Sequence, residues 1–84
     1  MSEGIIDLTE YKERMIGKYY RHFKGAMYEV TDIVLDCETL EPMVVYKALA
    51  DKRTAWCRAL KDFETILDKN KYPESTQERR FELA

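Results

Sequence analysis

The stretch from Met27 to Cys37 limits the possible folds of this chain more than any other feature. It is rich in Val, Ile, Thr and Tyr, which suit a pleated, half-buried surface, so it reads as one long strand. Side chains on a strand alternate between faces with a period of two. Here the alternation breaks: Tyr28 and Val30 share one face, whereas Ile33 and Leu35 share the other. A bulge or sharp bend near Thr31-Asp32 reconciles the two halves, because one extra residue flips every side chain after it. Such a bend curls a sheet onto itself, as a small barrel requires.

The flanking segments extend the pattern. Lys18 to Phe23 is rich in aromatics and suits a strand, and Lys24-Gly25-Ala26 reads as a turn. Glu38 to Pro42 is a loop. Met43 to Ala50 is apolar almost throughout, as for a strand buried on both faces. Asp51-Lys52-Arg53 reads as a tight polar turn, and Thr54 to Leu60 as a further strand carrying Trp56. At the N-terminal end, residues 7–16 read as a short helix. Asp7 and Glu10 are spaced as a capping box, and Gly17 is placed to stop the helix. Residues 61–68 suit one or two helical turns with Phe63, Ile66 and Leu67 inward. A polar loop follows from Lys69 to Gln77, and Arg79 to Leu83 can return as an edge strand.

The expected fold is mainly β: a small SH3-like barrel or roll of about five antiparallel strands, with a short N-terminal helix and a helical turn near 61–68. The alternative is an α+β roll whose N-terminal helix covers an open sheet. We expect one domain over 1–84, with a helical extension at 1–16, a barrel core at 17–68, and a polar loop with edge strand at 69–84.

Composition narrows the function classes. The chain carries 14 basic and 16 acidic residues, a net charge of −2, which argues against strong non-specific nucleic-acid binding. No segment approaches the roughly 20 apolar residues needed to span a bilayer. Met1-Ser2-Glu3-Gly4 is polar and Ile5-Ile6 is short, so no signal peptide is expected. A cytoplasmic location with reduced thiols follows as the expectation, and Cys37 and Cys57 are read as buried, inert thiols. With one histidine, the chain lacks the ligands of a zinc site, so no metal and no cofactor is expected. Three glycines leave no phosphate-binding loop, and no serine has a nucleophile-elbow setting, so no catalytic residue is assigned.

The residues that can carry a function lie in three runs: Tyr19-Tyr20-Arg21-His22-Phe23-Lys24-Gly25 followed by Tyr28, then Glu38 to Tyr46, then Trp56-Cys57-Arg58. Three blocks in this order resemble the bacterial DUF1653 family, whose function is unknown. The first is Gly17 with Tyr20-Arg21-His22-Phe23-Lys24-Gly25 and Tyr28-Glu29-Val30. The second is Glu38-Thr39, Glu41 and Val44-Val45-Tyr46. The third is Trp56, Arg58 and Phe63, and Arg80-Phe81 matches an Arg-Phe near the end of some members. The chain departs from the pattern at Asp36-Cys37, where members often have His-Ser, and at Ala59 in place of Pro. Its loop between the third and fourth strands is also shorter and lacks glycine. The resemblance covers Gly17 to about Ile66. It implies an SH3-like barrel and no assigned activity.

Candidate binding residues are Tyr20, Arg21, His22, Lys24, Tyr28, Glu38, Tyr46, Trp56 and Arg58. For His22 the leading reading is a latch to Glu38 between strands; binding and acid–base catalysis with Glu38 are the alternatives. Arg21 and Arg58 have planar forks suited to carboxylates. They can form an internal network with Glu38 and Glu41, or an anion pocket for a phosphate or a carboxylate terminus. The aromatics divide between a core and an open groove. The leading functional expectation is a non-catalytic module that recognises a protein or peptide through an aromatic and arginine surface. Nucleic-acid or nucleotide binding by the same surface, with a basic patch at Arg21, Lys24, Lys47 and Arg58, is the second. An enzyme using His22 and Glu38 is the third.

Overall fold

The computed structural model describes residues 7–84. The first six residues of the expected helical extension, including the stretch read for a signal peptide, lie outside the described residues. Helix α1 spans Thr9–Met15 and is followed by β1 (Tyr19–His22), β2 (Met27–Leu35), β3 (Pro42–Ala48) and β4 (Asp51–Ala59). A single helical turn, α2 (Leu60–Phe63), and a short strand, β5 (Phe81–Leu83), complete the chain. The five strands form one antiparallel sheet in the order β4-β3-β2-β1-β5. The fold is therefore mainly β with two short helices.

The bulge falls at the position the broken alternation demands. Val30 pairs with Tyr46 and Asp32 with Val45, so Thr31 is the extra residue. Val30 and Ile33, three positions apart, thereby both turn to the core and are 0% and 1% exposed. The Thr31 hydroxyl donates to the Val45 carbonyl at 3.3 Å, and the Ile33 N–H donates to the Asp32 carboxylate at 2.8 Å. These bonds occupy groups that the interrupted ladder leaves free.

The sheet curls strongly. β4 and β5 are its opposite edges, yet the Arg58 guanidinium carbon of β4 lies 5.9 Å from the centre of the Phe81 ring of β5. The result is compatible with the expected small barrel, although no ladder joins the two edges. Its concave side holds Met15, Val30, Ile33, Val44, Tyr46, Leu60, Phe63 and Phe81 in one cluster. Burying such side chains stabilises the fold by about 1.5–3 kcal/mol each. Phe63 stacks on Phe81 with ring centres 4.2 Å apart and planes 7° from parallel. Tyr46 and Tyr20 meet Phe63 at 5.8 and 5.1 Å.

Several local expectations are corrected. β3 is buried on one face only: Val44 and Tyr46 are buried, whereas Met43, Val45 and Lys47 are half-buried. The turn between β3 and β4 is Leu49-Ala50, and Asp51 already pairs with Ala48. Asp51-Lys52-Arg53 keeps its polar turn chemistry as an irregularity inside β4, where the Asp51 carboxylate accepts the Arg53 N–H at 3.1 Å. α2 ends at Phe63, so the helical period does not reach Ile66. Ile66 instead bridges Arg79 and is 66% exposed, while Leu67 is buried. Cys37 and Cys57 are both free and exposed, not buried: Cys37 lies in the turn after β2, and Cys57 opposes Val45 on the outer face of an edge strand.

The polar segment after Leu67 is tied to the sheet. The Gln77 side-chain amide donates to the carbonyls of Arg21 and Arg79 at 3.1 and 3.2 Å, and the Gln77 backbone carbonyl accepts from Lys69 Nζ at 2.6 Å. This buried amide holds the segment against β1, and β5 then pairs with β1 through His22↔Phe81. No helix among the described residues is long and apolar enough to cross a membrane.

Candidate functional site

Pairing across the sheet sorts the candidate residues by face. Residues directly opposed in an antiparallel pair point to the same side. Trp56 opposes the buried Tyr46, Arg58 opposes the buried Val44, and His22 opposes the buried Phe81. Tyr28 lies two residues before Val30 on the same side. The concave face therefore collects His22, Tyr28, Tyr46, Trp56 and Arg58 from four strands. Tyr20 shares this face but is held edge-on to Phe63 within the core.

His22 sits in an aromatic corner. Its ring centre is 4.6 Å from Phe23, 4.9 Å from Phe81 and 6.4 Å from Tyr28. Nδ1 accepts the Lys24 N–H at 3.1 Å, a contact set by the tight turn in which the Gly25 N–H bonds the His22 carbonyl. Gly25 has φ 106, a backbone region that side chains disfavour, which explains a glycine at this turn. Burial pushes the His22 pKa below the ordinary histidine value, and the charges of Arg80, Arg58 and Lys24 push in the same direction. Arg58 lies 5.9 Å from the centre of Phe81, and Arg80 and Lys24 lie 5.9 and 5.7 Å from that of Phe23, the two rings that flank His22.

Two of these cations are incompletely matched. The Nε atoms of Arg58 and Arg80 are shut away from solvent with no hydrogen-bond acceptor. Among the described residues, neither arginine joins an ion pair. The Arg58 guanidinium lies over Phe81, and that of Arg80 lies 5.9 Å from the centre of Phe23. The Arg80 backbone is pinned from both sides: its N–H bonds the Thr65 carbonyl, and its carbonyl accepts the Phe23 N–H, both at 2.9 Å. Arginine forks held over aromatic rings without a carboxylate partner are suited to capturing an anion.

Three expected arrangements are not formed. Glu38 does not meet His22: Glu38 follows the far end of β2, whereas His22 lies beside its start. Met27 to Leu35 spans about 25 Å at the usual strand rise. The latch and the catalytic dyad both require contact, so neither exists. The Arg21 and Arg58 network with Glu38 and Glu41 is also absent, because Glu41 pairs with Lys61 at 3.0 Å. Arg21 is exposed on the outer face, where it opposes Met27 and Glu82. Finally, the expected basic patch is split. Arg21 and Lys47 are on the convex side, with Lys47 opposite Glu29, while Lys24 and Arg58 are at the concave corner.

Arg80, Phe23, Phe81 and Tyr72 belong to the corner but were absent from the candidate residues. Tyr72 packs on Phe23 with ring centres 4.6 Å apart. A cleft of about 420 Å³ opens beside them, lined by Phe23, Lys24, Lys71, Tyr72, Pro73, Glu74 and Ser75. A second cleft of about 460 Å³, between Met15, Tyr20, Glu64, Arg79 and Glu82, has mixed charge and none of the unpaired guanidinium groups. Unbalanced charge marks a ligand site better than volume does, so the corner is the stronger candidate. No group of three His, Cys, Asp or Glu suited to a metal comes together among the described residues.

All the candidate residues except Glu38 and the outward Arg21 thus gather at one concave face and its corner. The model of a family described as a protein of unknown function (DUF1653) matches residues 18–83. The chain belongs to that family. No curated protein and no solved structure matches it.

Proposed function

We propose that this protein is a small, non-catalytic binding module that recognises an acidic segment of a protein or peptide on its concave face. The observation that carries this reading is the corner in which Arg58, Arg80 and Lys24 lie by the two rings that flank His22, with no ion-pair partner among the described residues. A cationic cluster on a chain of net charge −2 is a local feature and not a consequence of composition. Trp56 lies on the same face of β4 as Arg58 and is 56% exposed, giving an apolar anchor beside the charges. Aromatic and arginine side chains supply most of the energy in peptide recognition. The acidic character of the ligand follows from charge complementarity.

Fluorescence anisotropy with labelled acidic and charge-neutral peptides tests the reading. Trp56→Ala and Arg58→Gln each weaken the acidic peptide by about tenfold, as loss of one central anchor costs over 1 kcal/mol. Arg21→Gln, on the convex side, leaves affinity unchanged. Equal binding of neutral and acidic peptides, or equal loss from Arg21→Gln, contradicts it.

A further inference from the structure

The groups converging on His22 have a common character: all are donors. Nδ1 of His22 accepts the Lys24 N–H at 3.1 Å, so the proton of the neutral ring resides on Nε2 and makes that atom a donor. Arg58, Arg80 and Lys24 carry donors only. No carboxylate among the described residues is paired with any of them. A ligand offering an amide or hydroxyl would bring donors of its own and leave the charges unbalanced. A carboxylate would bring one negative charge against three positive ones. A phosphate monoester brings roughly −1.5 to −2 charges at pH 7 and three strong acceptor oxygens, the closest match to this corner.

Building on the proposed function, we infer that the His22, Lys24, Arg58 and Arg80 corner binds a phosphate monoester dianion, carried by a phosphorylated side chain of the peptide partner. The cleft of about 420 Å³ beside the corner shares Phe23 and Lys24 with it and adds Lys71, Tyr72 and Glu74. It gives the residues flanking the phosphate a surface of two aromatic rings with a cation and a carboxylate, the carboxylate being suited to a basic residue of the peptide beside the phosphate. The backbone bonds of Arg80 to Thr65 and Phe23 fix the main chain from which this side chain extends before the ligand arrives, which reduces the ordering cost of binding.

The chain has a single histidine, so its ring resonances report on the corner alone. The experiment follows them by NMR during titration with sodium phosphate and, at matched ionic strength, sodium acetate. A phosphoserine peptide, its glutamate counterpart and adenosine monophosphate form the second set. Phosphate shifts the ring saturably and raises the pH at which His22 titrates, because a bound anion favours imidazolium. Arg80→Gln weakens phosphate by about tenfold or more, and Arg80→Lys, which keeps the charge without the fork, loses less. Arg21→Gln has no effect.

Absence of a saturable shift, an acetate response as strong as that to phosphate, or indifference to Arg80→Gln overturns the assignment. If acidic peptides bind the concave face and phosphorylation gains nothing over glutamate, the phosphate inference fails while the peptide reading stands. If phosphate and the nucleotide bind but no peptide does, the corner is a phosphate site and the peptide partner is wrong.

Discussion

Phe63 is the residue whose loss should be felt furthest. It is 1% exposed and contacts Phe81, Tyr46 and Tyr20 at ring-centre distances of 4.2, 5.8 and 5.1 Å. Phe63→Ala removes the buried ring and leaves a cavity, a change that costs about 3–5 kcal/mol. A chain of 84 residues has a stability of about 4–13 kcal/mol at 0.05–0.15 kcal/mol per residue. The variant therefore loses a large share of the total. With a midpoint shift of roughly 4–8 °C per kcal/mol for a domain of this size, its melting temperature falls by about 12–40 °C. Far-UV circular dichroism during heating measures this directly. Ile66→Ala is the control, since Ile66 is 66% exposed and its truncation costs within about 0.5 kcal/mol. A loss under about 1 kcal/mol for Phe63→Ala, or equal losses at the two positions, refutes the placement of the aromatic stack at the centre of the core.

Other perturbations have defined outcomes. Gln77→Ala removes two donated hydrogen bonds from a buried amide and costs about 1–3 kcal/mol in urea denaturation; hydrogen exchange should quicken at Leu67 and Arg80. Leu40 holds a left-handed backbone, φ 61, and is 45% exposed. Leu40→Gly relieves about 1–2 kcal/mol of backbone cost against about 0.4–1 kcal/mol of added unfolded-state freedom, so a small net gain in midpoint is expected and a clear loss counts against the turn geometry. His22 titrates below an ordinary histidine, because it is partly buried and faces Arg80, Arg58 and Lys24. The unfolded state then binds more protons between the two pKa values. Stability is full above the unfolded value near 6.5 and declines as pH falls from there through the folded value. A His22 titration at or above 6.5 by NMR in anion-free buffer contradicts the cationic corner.

Much of the fold is legible in the residues, for local reasons. The β2 bulge can be read because alternation has a period of two, and its failure between Val30 and Ile33 admits few remedies. The edge strand at Phe81 to Leu83 and the turn at Gly25 follow from similar short-range signals. The errors come from tertiary placement. His22 and Glu38 are both polar residues near strand ends, but they lie beside opposite ends of β2, and pairing alone decides which end is which. Ile66 fits a helical period only if the helix continues, and α2 stops at Phe63. Arg80 reaches His22 because β5 returns to pair with β1, an approach across 58 residues of sequence that no local spacing contains. Its one visible sign was the Arg80-Phe81 pair of the family pattern. Asp36 is a smaller case: in the sequence it stands out only as a departure from the family pattern, yet its carboxylate accepts the N–H groups of Glu38 and Thr39 at 2.8 and 3.0 Å and shapes the turn.

The central claim is that the concave face is the working surface of this fold. Backbone chemical-shift mapping of isotopically labelled protein against an acidic peptide tests it most directly. Shifts concentrated at His22, Lys24, Tyr28, Trp56, Arg58 and Arg80 are expected. Shifts concentrated instead on the convex residues Tyr19, Arg21 and Lys47 would contradict it.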